Sequence, residues 1–172
     1  MSIAVVNSGG ANISSVLHAL GRLGAEPVFT ADPEVIAAAD RVILPGVGAA
    51  GYAMQVLRES GLVELIRSLQ QPVLGVCLGM QLLFESSEED DATMLGLIPA
   101  RLHRIPEAAG LRVPHMGWNA IRCVREDLLT QGLDRNWFYF VHSYAAPPGD
   151  WTLATSCHGQ PFSAIVRHKN FY

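Results

Sequence analysis

Cys77 stands between Gly75 and Gly79, where an apolar β-type run (Val73 to Val76) meets a helix-forming run (Leu78 to Phe84). Gly-x-Cys-x-Gly at a strand-to-helix junction has the layout of a nucleophile elbow, a sharp turn that pushes one side chain out of the sheet edge. The turn brings backbones together, and flanking glycines remove the Cβ atoms that would collide. A thiol there faces the N–H groups of a helix N-terminus, whose partial positive charge favours the reactive thiolate. The competing reading is a buried core cysteine, because free Cys is among the most buried residue types. Spacing alone leaves both open.

A nucleophilic cysteine needs a base, usually a histidine held by a carboxylate or amide. Six histidines are available: His18, His103, His115, His142, His158 and His168. His18 falls within a helical pattern and reads as packing or surface. His158 lies in a Cys-His-Gly turn, and an isolated Cys-His pair seldom binds metal. His142 and His168 end strand-like runs and are better placed. No Asp or Glu lies two or three residues from either, which counts against a self-sufficient hydrolase.

Gly46-Val47-Gly48-Ala49-Ala50-Gly51 matches G-x-G-x-x-G after a strand and before a helix, a pattern that can bind pyrophosphate at a helix N-terminus. It follows the third strand rather than the first, and no acidic residue ends the next strand to hold a ribose. Beside a cysteine elbow, the same Pro-Gly-x-Gly turn could instead aim N–H groups at an oxyanion. Farther on, Trp137 to Tyr144 alternates as a strand, partly for core packing. Pro114-His115-Met116-Gly117-Trp118-Asn119 sets a large aromatic between Gly and Asn, which suits either a partner interface or local packing.

The elements that must position these residues follow from hydrophobic pattern. Strands are expected at Ile3 to Val6, Pro27 to Phe29, Arg41 to Leu44 and Val73 to Val76. Helices are expected at Asn12 to Leu23, after Asp32-Pro33, and from Tyr52 to Leu69 with Gly61 interrupting. Alternation of strand and helix implies a doubly wound, mostly parallel sheet covered on both faces. Glu85 to Asp91 reads as a solvated acidic loop. Beyond Ile98, short β-like stretches (Arg101 to Ile105, Leu111 to Val113, Asn119 to Val124, Trp137 to His142, Trp151 to Ser156, Phe162 to Arg167) suggest added antiparallel strands.

Length and composition agree with one such domain spanning residues 1–172: 49% apolar and 16% charged residues. A net charge of −4 without a Lys/Arg block argues against a nucleic-acid surface. Three widely spaced cysteines suggest neither a disulfide framework nor a zinc site. No apolar run reaches membrane-spanning length and no basic leader precedes Ile3, so a cytoplasmic setting is expected. Neither a metal nor a cofactor is called for.

Taken together, Pro45-Gly46-Val47-Gly48, Gly75 to Gln81, Pro114 to Asn119 and Tyr139 to Tyr144 resemble the class I (triad) glutamine amidotransferases along the whole chain. Within them the sequence is most similar to the glutaminase subunits of imidazole glycerol phosphate synthases, in histidine biosynthesis. The resemblance implies that Cys77 attacks the glutamine side-chain amide, releasing ammonia and leaving a thioester that water hydrolyses. It implies an oxyanion hole from N–H groups near Gly48 and of Leu78, completed by a peptide rearrangement around Val47. Gln81, His142, Ser143 and Tyr144 match positions that hold the glutamine. Ammonia would pass to a (β/α)₈ cyclase subunit, faced by Trp118, Asn119 and Tyr139. The family's catalytic His and Glu lie in a His-Pro-Glu motif just after a strand that Asn170-Phe171-Tyr172 would begin, which puts them, the last strand and the final helix outside the given sequence. Two other readings stay open: a nucleotide- or phosphate-binding module on Gly46 to Gly51, and a stand-alone cysteine hydrolase.

Overall fold

The computed structural model describes residues 1–10 and 13–172. Its first half is a four-stranded, wholly parallel sheet in the order β2-β1-β3-β4, from β1 (Ile3–Val6), β2 (Pro27–Thr30), β3 (Arg41–Leu44) and β4 (Val73–Gly75). The central strands are apolar on both sides because helices cover both sides. On one face, Ile13, Val16, Leu17 and Leu20 of α1 (Ile13–Arg22) pack on Ile3, Val5 and Ile43. On the other, α2 (Pro33–Ala38), α3 (Ala50–Glu59) and α4 (Leu62–Ser68) bury Ile36, Met54, Leu57, Leu62 and Ile66 against Ala4, Val6, Val42 and Leu44. The expected start of α1 at Asn12 lies outside the described residues.

Local signals set the helix ends. Asp32 caps α2, its Oδ1 accepting from the Glu34 N–H at 2.9 Å, with Pro33 in the first turn. The long helix expected from Tyr52 to Leu69 is two helices. Gly61, at φ +66°, takes the left-handed conformation that ends one and starts the next.

The helix after Cys77 is shorter than its sequence suggests: α5 is Leu78–Gln81, and Phe84 opens strand β5 (Phe84–Ser87). Leu82, Leu83 and Phe84 are completely buried, and a fully buried apolar run carries no periodicity to separate helix from strand. Phe84 pairs with Ile98 and meets Trp151 edge-on, with centroids 6.0 Å apart. The expected acidic loop is therefore strand up to Ser87, then a tight turn over Glu89–Asp91.

In the second half, β6 (Ile98–Arg104) runs parallel to β5 and antiparallel to β10 (Tyr144–Ala145). Strand β7 (His115–Ala120) pairs antiparallel with β9 (Trp137–His142). A third sheet orders β12 (Gln160–Val166), β11 (Thr152–His158) and β8 (Arg122–Cys123), all antiparallel. Leu111 to Val113, expected as a strand, holds only one isolated bridge, Leu111 to Ala108. Asn170 to Tyr172 returns to β4: Val73 N–H donates to Asn170 O at 2.9 Å and Tyr172 N–H to Val73 O at 2.8 Å, in parallel register. Among the described residues no helix is long and apolar enough to cross a membrane.

The tightest packing lies where β3 and α5 meet. A Cβ built at Gly79 would sit 1.7 Å from the Leu44 carbonyl oxygen, whereas one at Gly21 in α1 meets nothing within 4 Å. Gly79→Ala is accordingly expected to cost more than about 4 kcal/mol, or to prevent folding, while Gly21→Ala stabilises by roughly 0.5–1 kcal/mol. Urea unfolding of the two variants checks both signs.

Candidate active site

The elbow forms as the glycine spacing predicts. Cys77 sits between β4 and α5 at φ +56° and ψ −115°, a strained conformation for a side-chain-bearing residue. It is held there by backbone packing that only glycine permits. Cβ atoms at Gly75 and Gly46 would lie 2.7 Å from the Gly79 backbone and 2.8 Å from the Leu78 Cβ. Hydrogen bonds close the turn, with Val76 N–H donating to Leu44 O and Gly79 N–H to Val76 O, both at 3.0 Å. Cys77 is exposed, so the buried-core reading fails. Strain of this kind gathers at functional sites, where surrounding packing fixes it.

Cys77 lines two adjoining cavities. The smaller, about 130 Å³, is walled by Ser8, Gly10, Pro45, Gly46 and Val47. The larger, about 360 Å³, is walled by Gly75, Gln81, Tyr139, His142 and Tyr144, with Phe138 and Phe140 as apolar surfaces. The larger volume suits a small metabolite rather than a polymer. Its walls are tied by one acceptor: the Tyr144 carbonyl receives Gln81 Nε2 at 3.2 Å and His142 Nδ1 at 2.9 Å. Gln81 lies four residues after Cys77, so this bond joins the elbow helix to the β9–β10 wall.

The Pro45 to Gly48 turn faces the elbow across the smaller cavity. Ser8 Oγ donates to Pro45 O at 2.9 Å and fixes its entry, while Gly48, at φ +95°, takes a conformation open to glycine. Leu78, first in α5, has an N–H with no partner inside the helix, as every first-turn position does. The phosphate reading of this loop does not survive. The Ala50 N–H that opens α3 already donates to Glu89 Oε2 at 2.8 Å, and Asp90 lies against Gly51. A helix N-terminus filled by carboxylates repels phosphate.

His142, a candidate base, has both ring nitrogens engaged, Nδ1 by Tyr144 O and Nε2 by His115 Nδ1 at 2.9 Å. His168 lines neither cavity. Among the described residues, no carboxylate and no histidine with a free ring nitrogen lines a cavity that Cys77 lines. His18 is exposed on α1, and His103 Nδ1 contacts Glu88 at 2.9 Å. Among the described residues no cluster of three or more acidic, Cys or His side chains could hold a metal.

Strands β7 and β9 present two unlike faces. Met116 and Val141, Trp118 and Tyr139, and Ala120 and Trp137 are cross-strand pairs on the outer face, where Trp118, Trp137 and Met116 are each more than 60% exposed. Asn119 belongs to the opposite face, its Nδ2 donating to Cys157 O at 2.8 Å. That face also carries His115, Phe140 and His142, and His158 of β11 stacks on His115 at 4.1 Å. Sequence reasoning left His115 and His158 unused. The signal for them was the β7–β9 register, which only pairing reveals.

The glutamine amidotransferase class-I family model matches residues 4–172. The chain belongs to the class-I glutamine amidotransferases. An imidazole glycerol phosphate synthase subunit HisH from Xanthomonas euvesicatoria pv. vesicatoria is 51% identical over 167 residues, 96% of this chain and 84% of its own. One from Idiomarina loihiensis is 46% identical over 172 residues, 100% of this chain and 87% of its own. A glutamine amidotransferase crystal structure superposes with a TM-score of 0.70 at 18% identity, covering 97% of this chain and 90% of that one, a likeness of fold.

Burial sets the electrostatics of the histidine group. His115 is held neutral, its pKa pushed down to about 4 by burial and then by the charges that His158 and His142 would carry. Burial also lowers that of His142, against the opposing pull of the Tyr144 carbonyl. Both pKa values fall below the ordinary 6.5, so the unfolded chain binds more protons than the folded one as pH drops. The contribution of His115 to stability is full above pH 6.5 and is lost as pH falls toward about 4, and that of His142 is lost in the same direction. Urea midpoints are expected to decline across that window in the natural chain and to decline less in His115→Phe.

Proposed function

We propose that this chain is the glutaminase subunit of an imidazole glycerol phosphate synthase, acting in the cytoplasm in histidine biosynthesis. The observation that carries the reading is an exposed, strained Cys77 opening into a cavity shared with Gln81, His142 and Tyr144. Relatives of that name, about half identical over nearly the whole chain, support it.

In this reading, glutamine lies in the larger cavity with its carboxamide at Cys77. The family resemblance assigns its polar groups to Gln81, His142, Ser143 and Tyr144; of these Gln81, His142 and Tyr144 line that cavity, and His142, with both ring nitrogens engaged, serves by fixing the Tyr144 carbonyl. Sγ attacks the carboxamide carbon, and the negative charge that develops on oxygen is met by N–H groups of Leu78 and of Gly48. The Val47 peptide turns to complete that pair, the kind of preorganised donor set that lowers such barriers most. Collapse of the tetrahedral species expels ammonia, whose nitrogen must receive a proton, and leaves a glutamyl thioester on Cys77. Water then releases glutamate. Proton transfer in both halves needs a base with a free lone pair, and His142 has none to give.

The ammonia passes to a (β/α)₈ cyclase subunit. Loss to water would protonate it and remove its nucleophilicity, so a closed junction is the chemical requirement. Trp118 and Tyr139, packed edge-to-face at 5.6 Å on the outer face of β7–β9, offer a rigid aromatic anchor for that partner. Asn119, expected to face the partner too, lies instead on the opposite face because strand side chains alternate, and there it braces β7 against β11.

A diazoketone analogue of glutamine tests the site. It is expected to label Cys77 in preference to Cys123 and Cys157, with free glutamine protecting and Cys77→Ala abolishing the adduct by mass spectrometry. Equal labelling of all three thiols without protection would defeat the reading. Glutamate release by the 172-residue chain is expected to remain at background, since among the described residues no carboxylate and no histidine with a free ring nitrogen lines the cavity. Trp118→Asp is expected to weaken cyclase binding about 30-fold, near 2 kcal/mol, measured by calorimetry.

A further inference from the structure

We propose that His115, which does not touch the cavity, is a positioning residue for it, acting through His142. This rests on the larger cavity being the glutamine site.

One carbonyl dictates two tautomers. Tyr144 O can only accept, so His142 Nδ1 must carry a proton to bond it at 2.9 Å. A neutral His142 then has a lone pair at Nε2. His115 Nδ1, 2.9 Å away, must therefore be the donor. His115 cannot easily turn from that duty. It is 4% exposed and sits between Phe140, stacked at 5.1 Å and 17°, and His158, stacked at 4.1 Å and 19°. The titratable groups facing it are His142 on β9 and His158 on β11. His158 is itself tied, its Nε2 bonded to Arg112 O at 2.8 Å.

The consequence reaches the elbow. His142 and Gln81 share the Tyr144 carbonyl, so the donor from His115 holds the ring that fixes one side of that bond pair. With the donor removed, Nε2 of a largely buried ring is left unpaired. The ring can then leave the Tyr144 carbonyl, and the wall facing Cys77 loosens. A buried polar chain of this type keeps its geometry only while every member is satisfied. Positioning groups behind a ligand-contacting residue typically matter by about 10-fold or more.

Two substitutions separate the donor from the ring. His115→Phe keeps a flat ring in the stack and removes the N–H; His115→Asn supplies an amide N–H near the place of Nδ1. Alkylation of Cys77 by the diazoketone analogue, followed against concentration, divides into a binding constant and a maximal rate. His115→Phe is expected to weaken binding about 10-fold with the maximal rate changed less than about 2-fold, and His115→Asn to recover most of the loss. Unchanged binding in His115→Phe, or no recovery in His115→Asn, overturns the proposal. Nitrogen-15 NMR of the natural chain near pH 7.5 is expected to show Nδ1–H on both His115 and His142. An Nε2–H on His142 overturns the proposal even where neither variant folds. Saturable, glutamine-protected alkylation of the natural chain is the separate test of the glutamine reading, so the two can fail independently.

Discussion

The site depends on a contact that tolerates no side chain. Gly79 lies so close to the Leu44 carbonyl that a single added carbon would overlap it, and Gly75 and Gly46 are nearly as tight against the same helix turn. These approaches bring the end of β3 and the end of β4 against α5, and the Pro45–Gly48 turn is carried with them. The thiol and the turn that lines the smaller cavity with it are thereby placed by backbone on backbone. Side-chain packing can shift by tenths of an ångström, whereas glycine backbones in contact have nowhere to go. Cys77 sits at positive φ because its neighbours leave no alternative, and the strain is carried by the sheet.

The second constraint is the two-residue period of an extended strand. In β7 and β9 it sends Met116, Trp118, Tyr139, Val141 and Trp137 to one side, and His115, Phe140 and His142 to the other. A slip of one residue would exchange the faces, burying the tryptophans and exposing the histidines. The exposed aromatic area and the cavity wall thus share one pair of strands, with Tyr139 and Val141 belonging to both.

Much of this was legible in the residues. The β1, β3 and β9 runs stand where hydrophobic pattern puts them, and Asp32-Pro33 and Gly61 mark helix ends by rules that act over a few residues. The elbow was legible for the same reason, since glycine spacing states the backbone approach directly. Phe84 was not: in Leu82-Leu83-Phe84 every side chain is buried, and a run without a polar face has no period to read. The histidine group was hidden differently. His115, His142 and His158 come from three strands, and their contact is set by register and by β11 crossing behind β7, information that no local window holds.

The glycine loop after β3 shows how tertiary context decides between chemistries that one motif permits. Gly46 to Gly51 has the spacing of a phosphate cradle and is followed by a helix whose first N–H groups could take an anion. The anion it takes is the chain's own: Glu89, delivered by the turn after β5, bonds Ala50 N–H, and Asp90 stands beside Gly51. With that end of α3 occupied, the part of the loop left open is the earlier one, Pro45 to Val47, which lines the smaller cavity with Cys77. An acidic stretch that looked like plain solvated surface therefore has a structural part in the site. It closes the phosphate option at that end of the loop.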